Sequence, residues 1–147
     1  MKQLSPLGVS ISVQRRVRAE DSVQSMADES PEYARKPNVL GSAHLLKLAE
    51  GPCMEEIRKF ITADDWSLGK TMFIEHHRPA VIGTEITITA SCLEAEGPSS
   101  AWKVDVRNEH AAILSRVWLW FKVVDSTEYE QRLREERRLL ANVPVAG

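Results

Sequence analysis

The sequence predicts an α+β fold, a curved antiparallel sheet of five strands wrapped around one long helix, and three features carry that prediction. Four segments alternate apolar and polar residues with the period of a strand, a fifth is a continuous apolar run, and one long segment repeats apolar residues at three- and four-residue steps. Turn-forming residues separate the later strands at hairpin spacing. At 147 residues the chain suits one domain with its own apolar core. A single domain is expected over 1–147, with its core in 8–125 and a solvated C-terminal helix and tail in 126–147.

Taken in order, Val9, Ile11, Val13 and Val17 alternate with Ser10, Ser12, Gln14 and Arg16, as in a strand with one wet face. Residues 20–40 are polar and read as a long loop with a short helical turn in SPEYARKP, and loops of that length are often functional. From Ser42 to Ile61, Leu45, Leu48, Ala49, Cys53, Ile57, Phe60 and Ile61 mark one apolar helix face. Pro52 cannot donate to the Leu48 carbonyl, so a kink near Gly51 is expected. Three more alternating runs follow the TADD turn: Leu68, Met72, Ile74 and His76, then Ile86, Ile88, Ala90 and Cys92, then Trp102, Val104 and Val106. EAEGPSS and NEHA are the turns around the third of these. The last run, ILSRVWLWFKVV, is apolar on both parities, which predicts a strand covered on both faces. Either a second copy of the chain or the loop of residues 20–40 would cover Trp118 and Trp120. STEYEQRLREERRLL reads as a solvated helix with Glu128–Arg132 and Glu130–Arg134 at pairing distance.

Charge and composition exclude several classes. A formal charge of -2 provides no field for nucleic acid or an anionic membrane, and neither partner is expected. The N-terminal MKQLSPLGVSISVQRR lacks the apolar core of a secretory signal, and no segment approaches the roughly 20 apolar residues of a membrane span. A cytoplasmic protein is therefore expected. Cys53 and Cys92 lie within apolar patterns without CxxC spacing, which points to reduced core thiols; no metal and no cofactor is implied.

The segment FIEHHRPAVIG places two of the four histidines side by side. Neighbours on a strand face opposite ways, so His76, in phase with Met72 and Ile74, points toward the helix while His77 points away. At 100° per residue Glu50 lies on the border of the apolar helix stripe, a half-buried carboxylate that could pair with an imidazole or reach water. Ser42 opens the same helix, where serine commonly caps.

The runs ESPEYARKPNVLGSAHLLKLAEGPCMEE and SLGKTMFIEHHRPAVIGTEITITASCLE resemble the fluoroacetyl-CoA thioesterase-like family of hot-dog-fold proteins, over about residues 28–125. The resemblance implies a five-stranded sheet around one long helix, a homodimer with tetramers as a further option, and acyl-CoA or acyl-carrier thioesters bound at the dimer interface. It assigns the catalytic hydroxyl to Ser42, the carboxylate to Glu50 and the histidine to His76, with Pro79 and Gly83 matching the pattern after it. Gly69, in the matching SLG, would bring backbone near the thioester carbonyl, and His77 has no assigned role. The family's last-strand G-x-H-x-R falls on Arg116, Trp118 and Trp120, and its aromatic lid pair on Tyr33 and Lys36, so fluoroacetyl selectivity is not carried over. Tyr33, Lys36 and Arg78 are substrate-binding candidates, with Arg78, Lys70 and Lys103 able to meet phosphates or remain solvated.

The activity expected is hydrolysis of a small acyl-CoA thioester, with His76, oriented by Glu50, acting as base on water or on Ser42. The alternatives are a non-catalytic acyl-CoA-binding or regulatory hot-dog protein, then a hydratase-like lyase using Glu50 and His76 alone, because fold does not choose among them.

Overall fold

The computed structural model describes residues 5–142. Five strands, β1 (Ser10–Arg16), β2 (Asp65–His76), β3 (Glu85–Glu96), β4 (Ser99–Arg107) and β5 (Ile113–Asp125), form one antiparallel sheet in the order β1-β3-β4-β5-β2. Three helices accompany them: α1 (Pro31–Ala34), α2 (Ser42–Arg58) and α3 (Ser126–Ala141). This is the architecture that the alternating runs predicted.

The core forms where the apolar stripe of α2 meets the inward parity of the strands. Leu45, Ala49, Cys53 and Ile57 are buried against Ile86, Ala90, Val104, Val117 and Leu119. Each fully buried side chain of this size contributes about 1.5–3 kcal/mol of transfer free energy, and together they outweigh the backbone cost of Pro52. The helix continues through Pro52, which is buried within it, and stops at Arg58, three residues before the apolar pattern ends. Ile61, beyond that end, still packs on the core.

The structure departs from the predicted pattern in three places. A register shift between Gly69 and Thr71 sets Leu68 opposite Lys122 but Met72 opposite Leu119. This bulge turns Leu68 to the outer face, so it does not share the inward side of Met72, Ile74 and His76. Second, β5 is covered only on its inner face within the chain. Val117, Leu119 and Phe121 are buried, whereas outward Trp120 is 40% exposed, and half-buried Trp118 packs in a T-shaped contact with Phe73, itself 55% exposed. The segment before α2 packs against α2. Third, α3 is solvated as expected, but its ion pairs are Glu130–Arg137 and Glu135–Arg138. Asp125 caps it by accepting the Glu128 N–H at 3.0 Å, and Tyr129 packs edge-on against Trp66. The tail residues 143–147 lie outside the described residues.

Among the described residues no helix is long and apolar enough to cross a membrane. Both cysteines are buried and unbridged. Burial, with Cys92 nearby, pushes the Cys53 thiol up to about 12, and burial also raises Cys92. Thiolate is the reacting form, so native protein at pH 8 should react with a disulfide reagent far more slowly than a free thiol, and denaturant should release two equivalents. Rapid modification of the native fold would contradict this packing.

Candidate active site

The helix entry and the end of one strand meet at a single point. Gly41, not Ser42, is the N-cap of α2: its carbonyl accepts the Leu45 N–H at 2.8 Å. A side chain at Gly41 would crowd the chain that crosses it, since a Cβ there would stand 3.0 Å from Val23 Cα. Ser42 is thereby the first helical residue, and its hydroxyl is relieved of capping. Ser42 Oγ lies 2.8 Å from His76 Nε2.

His76 is the last residue of β2, on the inner face opposite Ser115 of β5. The chain turns away just beyond it, where the Leu114 carbonyl accepts both the His77 and the Arg78 N–H groups at 2.8 and 3.0 Å. Ser115 Oγ stands 3.5 Å from His76 Nδ1, a long contact. The neutral ring that accepts a proton from Ser42 at Nε2 carries its own proton on Nδ1, toward Ser115. Ser115 was missed in the sequence, although a hydroxyl in phase with Val117 and Leu119 on an otherwise apolar inner face marks it.

The pair opens on a cavity of about 540 Å³. Its wall is apolar, with Val23, Val39, Leu40 and Ala80, and Tyr33, Lys36 and Arg78 also line it. Three of the four expected substrate-binding residues are therefore gathered beside Ser42 and His76. His77, given no role by the sequence, lines the cavity as well and contacts Glu75 at 3.2 Å.

Glu50 and Gly69 are not brought to that point within one chain. Eight residues along α2 place Glu50 about 12 Å beyond Ser42, and seven residues along β2 place Gly69 about 23 Å from His76. Among the described residues no hydrogen bond joins Glu50 to His76 within the chain, so Glu50 and Gly69 stand apart from the imidazole. The two are instead neighbours: a Cβ at Gly69 would lie 3.8 Å from Glu50 Oε2. Within one chain the Ser42–His76 contact and the Glu50–Gly69 contact are separate places. Among the described residues no three His, Cys, Asp or Glu side chains gather as metal ligands.

The cavity wall hangs from a buried ion pair. Asp21 is fully buried, accepts from Arg15 Nη2 at 2.7 and 2.8 Å and from the Arg18 N–H at 2.8 Å, and its carbonyl accepts the Gly41 N–H at 3.0 Å. Ser22 Oγ donates to Asn38 Oδ1, Gln24 Nε2 to the Lys36 carbonyl, and Ser25 Oγ bonds His44 Nε2 on α2. Thus the segment from Arg18 to Gly41 is pinned to β1 and to the start of α2.

A curved antiparallel sheet around one helix, with the helix entry set against a strand-end histidine, defines a hot-dog domain. The chain belongs to the fluoroacetyl-CoA-specific thioesterase family, whose model matches residues 17–117. A fluoroacetyl-CoA thioesterase of Streptantibioticus cattleyicolor is 26% identical over 87 residues, 59% of this chain and 63% of that relative, so the match spans less than two thirds of the relative's length. A solved structure of the fluoroacetyl-CoA thioesterase FlK superposes with a TM-score of 0.81 at 20% identity, covering 94% of this chain and 97% of that one. A thioesterase superfamily member from Thermus thermophilus gives 0.80 at 18% identity over 93% and 97%. A hot-dog-like protein from Thermanaerovibrio acidaminovorans gives 0.77 at 19% over 89% and 92%.

Burial works to raise the Asp21 carboxyl, but the Arg15 side chain and the Arg18 N–H prevail and hold it below the usual carboxylate range. Its ionised form therefore stabilises the fold above that range, and the contribution is lost as pH falls through the depressed value. Asp21→Ala should destabilise the protein by about 3 kcal/mol in a denaturant melt at pH 7, because Arg15 is left without its partner. The difference from wild type should shrink in melts below about pH 4. A pH-independent difference would remove the ion pair as its cause.

Proposed function

We propose that this protein is an acyl-CoA thioesterase in which Ser42 and His76 form the reacting pair and a second copy of the chain completes each site. The observation that carries the reading is the 2.8 Å contact between Ser42 Oγ and His76 Nε2 at the edge of an apolar cavity. Membership of a thioesterase family agrees with it. His76 Nε2 takes the Ser42 proton as Ser42 Oγ adds to the thioester carbonyl carbon. The C–S bond then breaks and the thiol leaves with that proton. Water, deprotonated by His76, attacks the acyl-serine, releasing the carboxylic acid and restoring Ser42.

Both reacting groups are exposed in the isolated chain, yet an oxyanion is stabilised best where water is excluded. β2 is an edge strand of 12 residues, a ready template for another strand. Antiparallel pairing of two β2 strands about a twofold axis at Phe73 would keep inward residues opposite inward ones, Met72 against Ile74, and would bring the Gly69–Thr71 bulge of one copy against His76 of the other. Glu50 travels with Gly69, so the second copy would supply the carboxylate and a backbone donor that its partner's half-site lacks. A homodimer with two composite sites accounts for the stranded Glu50.

Free-thiol release from a panel of acyl-CoA thioesters tests the chemistry. His76→Ala should lower kcat by about 10²- to 10⁴-fold. Ser42→Ala should cost more than Ser42→Thr; equal losses, or an unaffected Ser42→Ala enzyme, would take Ser42 out of the reaction and leave water, activated by His76, as the nucleophile. Mixing inactive Ser42→Ala and Glu50→Gln chains tests the composite site. Each mixed dimer would hold one site with Ser42 and Glu50 both intact, so purified mixed dimers should recover toward half of wild-type activity and an equal, fully exchanged mixture toward about a quarter. No recovery from dimers shown to have exchanged subunits would place each site within one chain.

A further inference from the structure

We infer that the acyl group accepted by this cavity carries a carboxylate: the substrates are short ω-carboxyacyl thioesters. The inference rests on the thioesterase reading of the Ser42–His76 site and adds the class of acyl group. The cavity is cationic in a chain whose formal charge is -2. Lys36 and Arg78 line it, and no aspartate or glutamate of the same chain does. Among the described residues neither Lys36 nor Arg78 enters an ion pair. The Tyr33 phenol lines the same space and adds a donor.

The remaining wall is apolar and includes buried Leu40 and Ala80, whereas Lys36 and Arg78 are exposed at its margin. A ligand that satisfies both parts has a short hydrocarbon stem and one anionic end. Two parts of an acyl-CoA could supply the anion, the acyl group or the phosphates of the carrier. Size favours the acyl group. The cavity of about 540 Å³ is roughly 10 Å across if taken as a sphere, so any anion held by its cations lies within about that distance of Ser42. The pantetheine arm between a thioester and the carrier's diphosphate is longer than that when extended. A five- or six-carbon diacid spans the interval directly.

Paired thioesters that differ only at the chain end test this: glutaryl- against valeryl-CoA and adipyl- against hexanoyl-CoA, each also prepared on N-acetylcysteamine, which bears no phosphate. The dicarboxylic member should have the higher kcat/KM by roughly tenfold or more on both carriers, the scale of a hydrogen bond to a charged group. Lys36→Met should collapse the adipyl-to-hexanoyl ratio toward one, and Lys36→Arg should retain it. Faster turnover of hexanoyl than adipyl thioesters would overturn the inference while leaving the thioesterase reading intact. A Lys36→Met loss equal for both CoA thioesters and absent on N-acetylcysteamine would assign the cations to the carrier phosphates and overturn it as well. Absence of thiol release from every thioester in the panel would remove the thioesterase reading itself.

Discussion

The structure depends on how one helix is laid into one sheet. Apolar burial fixes α2 on the concave face by Leu45, Ala49, Cys53 and Ile57, and a helix of 17 residues is only about 25 Å long. Its entry therefore falls at a defined place on the sheet, and that place is where β2 ends. Ser42 meets His76 there because the packing of the core leaves no other position for the first turn of the helix. The small residue at the cap contributes as much as the hydroxyl, since Gly41 lets the crossing chain at Val23 come close and leaves Ser42 free to face the imidazole.

Around that contact, polar interactions do what the core cannot. The segment from Arg18 to Gly41 has few buried apolar residues of its own, Leu40 excepted, and would be free to leave the cavity if entropy alone decided. Asp21 prevents this from both its side chain and its backbone, by holding Arg15 of β1 and the Gly41 N–H. A fully buried carboxylate is tolerated because it has a guanidinium and a backbone donor as partners. The cavity wall thus inherits the rigidity of the sheet and helix, which is what a site needs to discriminate between acyl groups.

The unsatisfied features of the single chain point one way. The β2 edge is long and unpaired, Phe73 and Trp120 are exposed, and Glu50 lies about 12 Å along α2 beyond Ser42. Burying the edge by strand pairing and bringing a second Glu50 to each His76 are the same event in the proposed dimer. Exposure of Ser42 and His76 in one chain is then a property of a half-built site.

The order of strands and helix, the inward direction of His76 and the half-buried state of Glu50 were legible in the sequence, because they follow from the two local periods of strand and helix, whereas His77, read as pointing away, lines the cavity beside His76 because β2 ends there. Where a local rule was broken the reading failed: the Gly69 bulge reversed Leu68, and the cap moved from Ser42 to Gly41, since neither depends on the residue itself but on what crosses it. Ser115 and Asp21 were not singled out, as one looks like an ordinary strand hydroxyl and the other like a loop acid until the fold brings Nδ1 of His76 and the side chain of Arg15 against them. The sequence by itself determined which side chains face inward, through periodicities that act over a few residues. Only the tertiary structure decided which of them meet, because a contact between residues 34 positions apart, such as Ser42 and His76, is set by the packing of whole elements and not by any local preference.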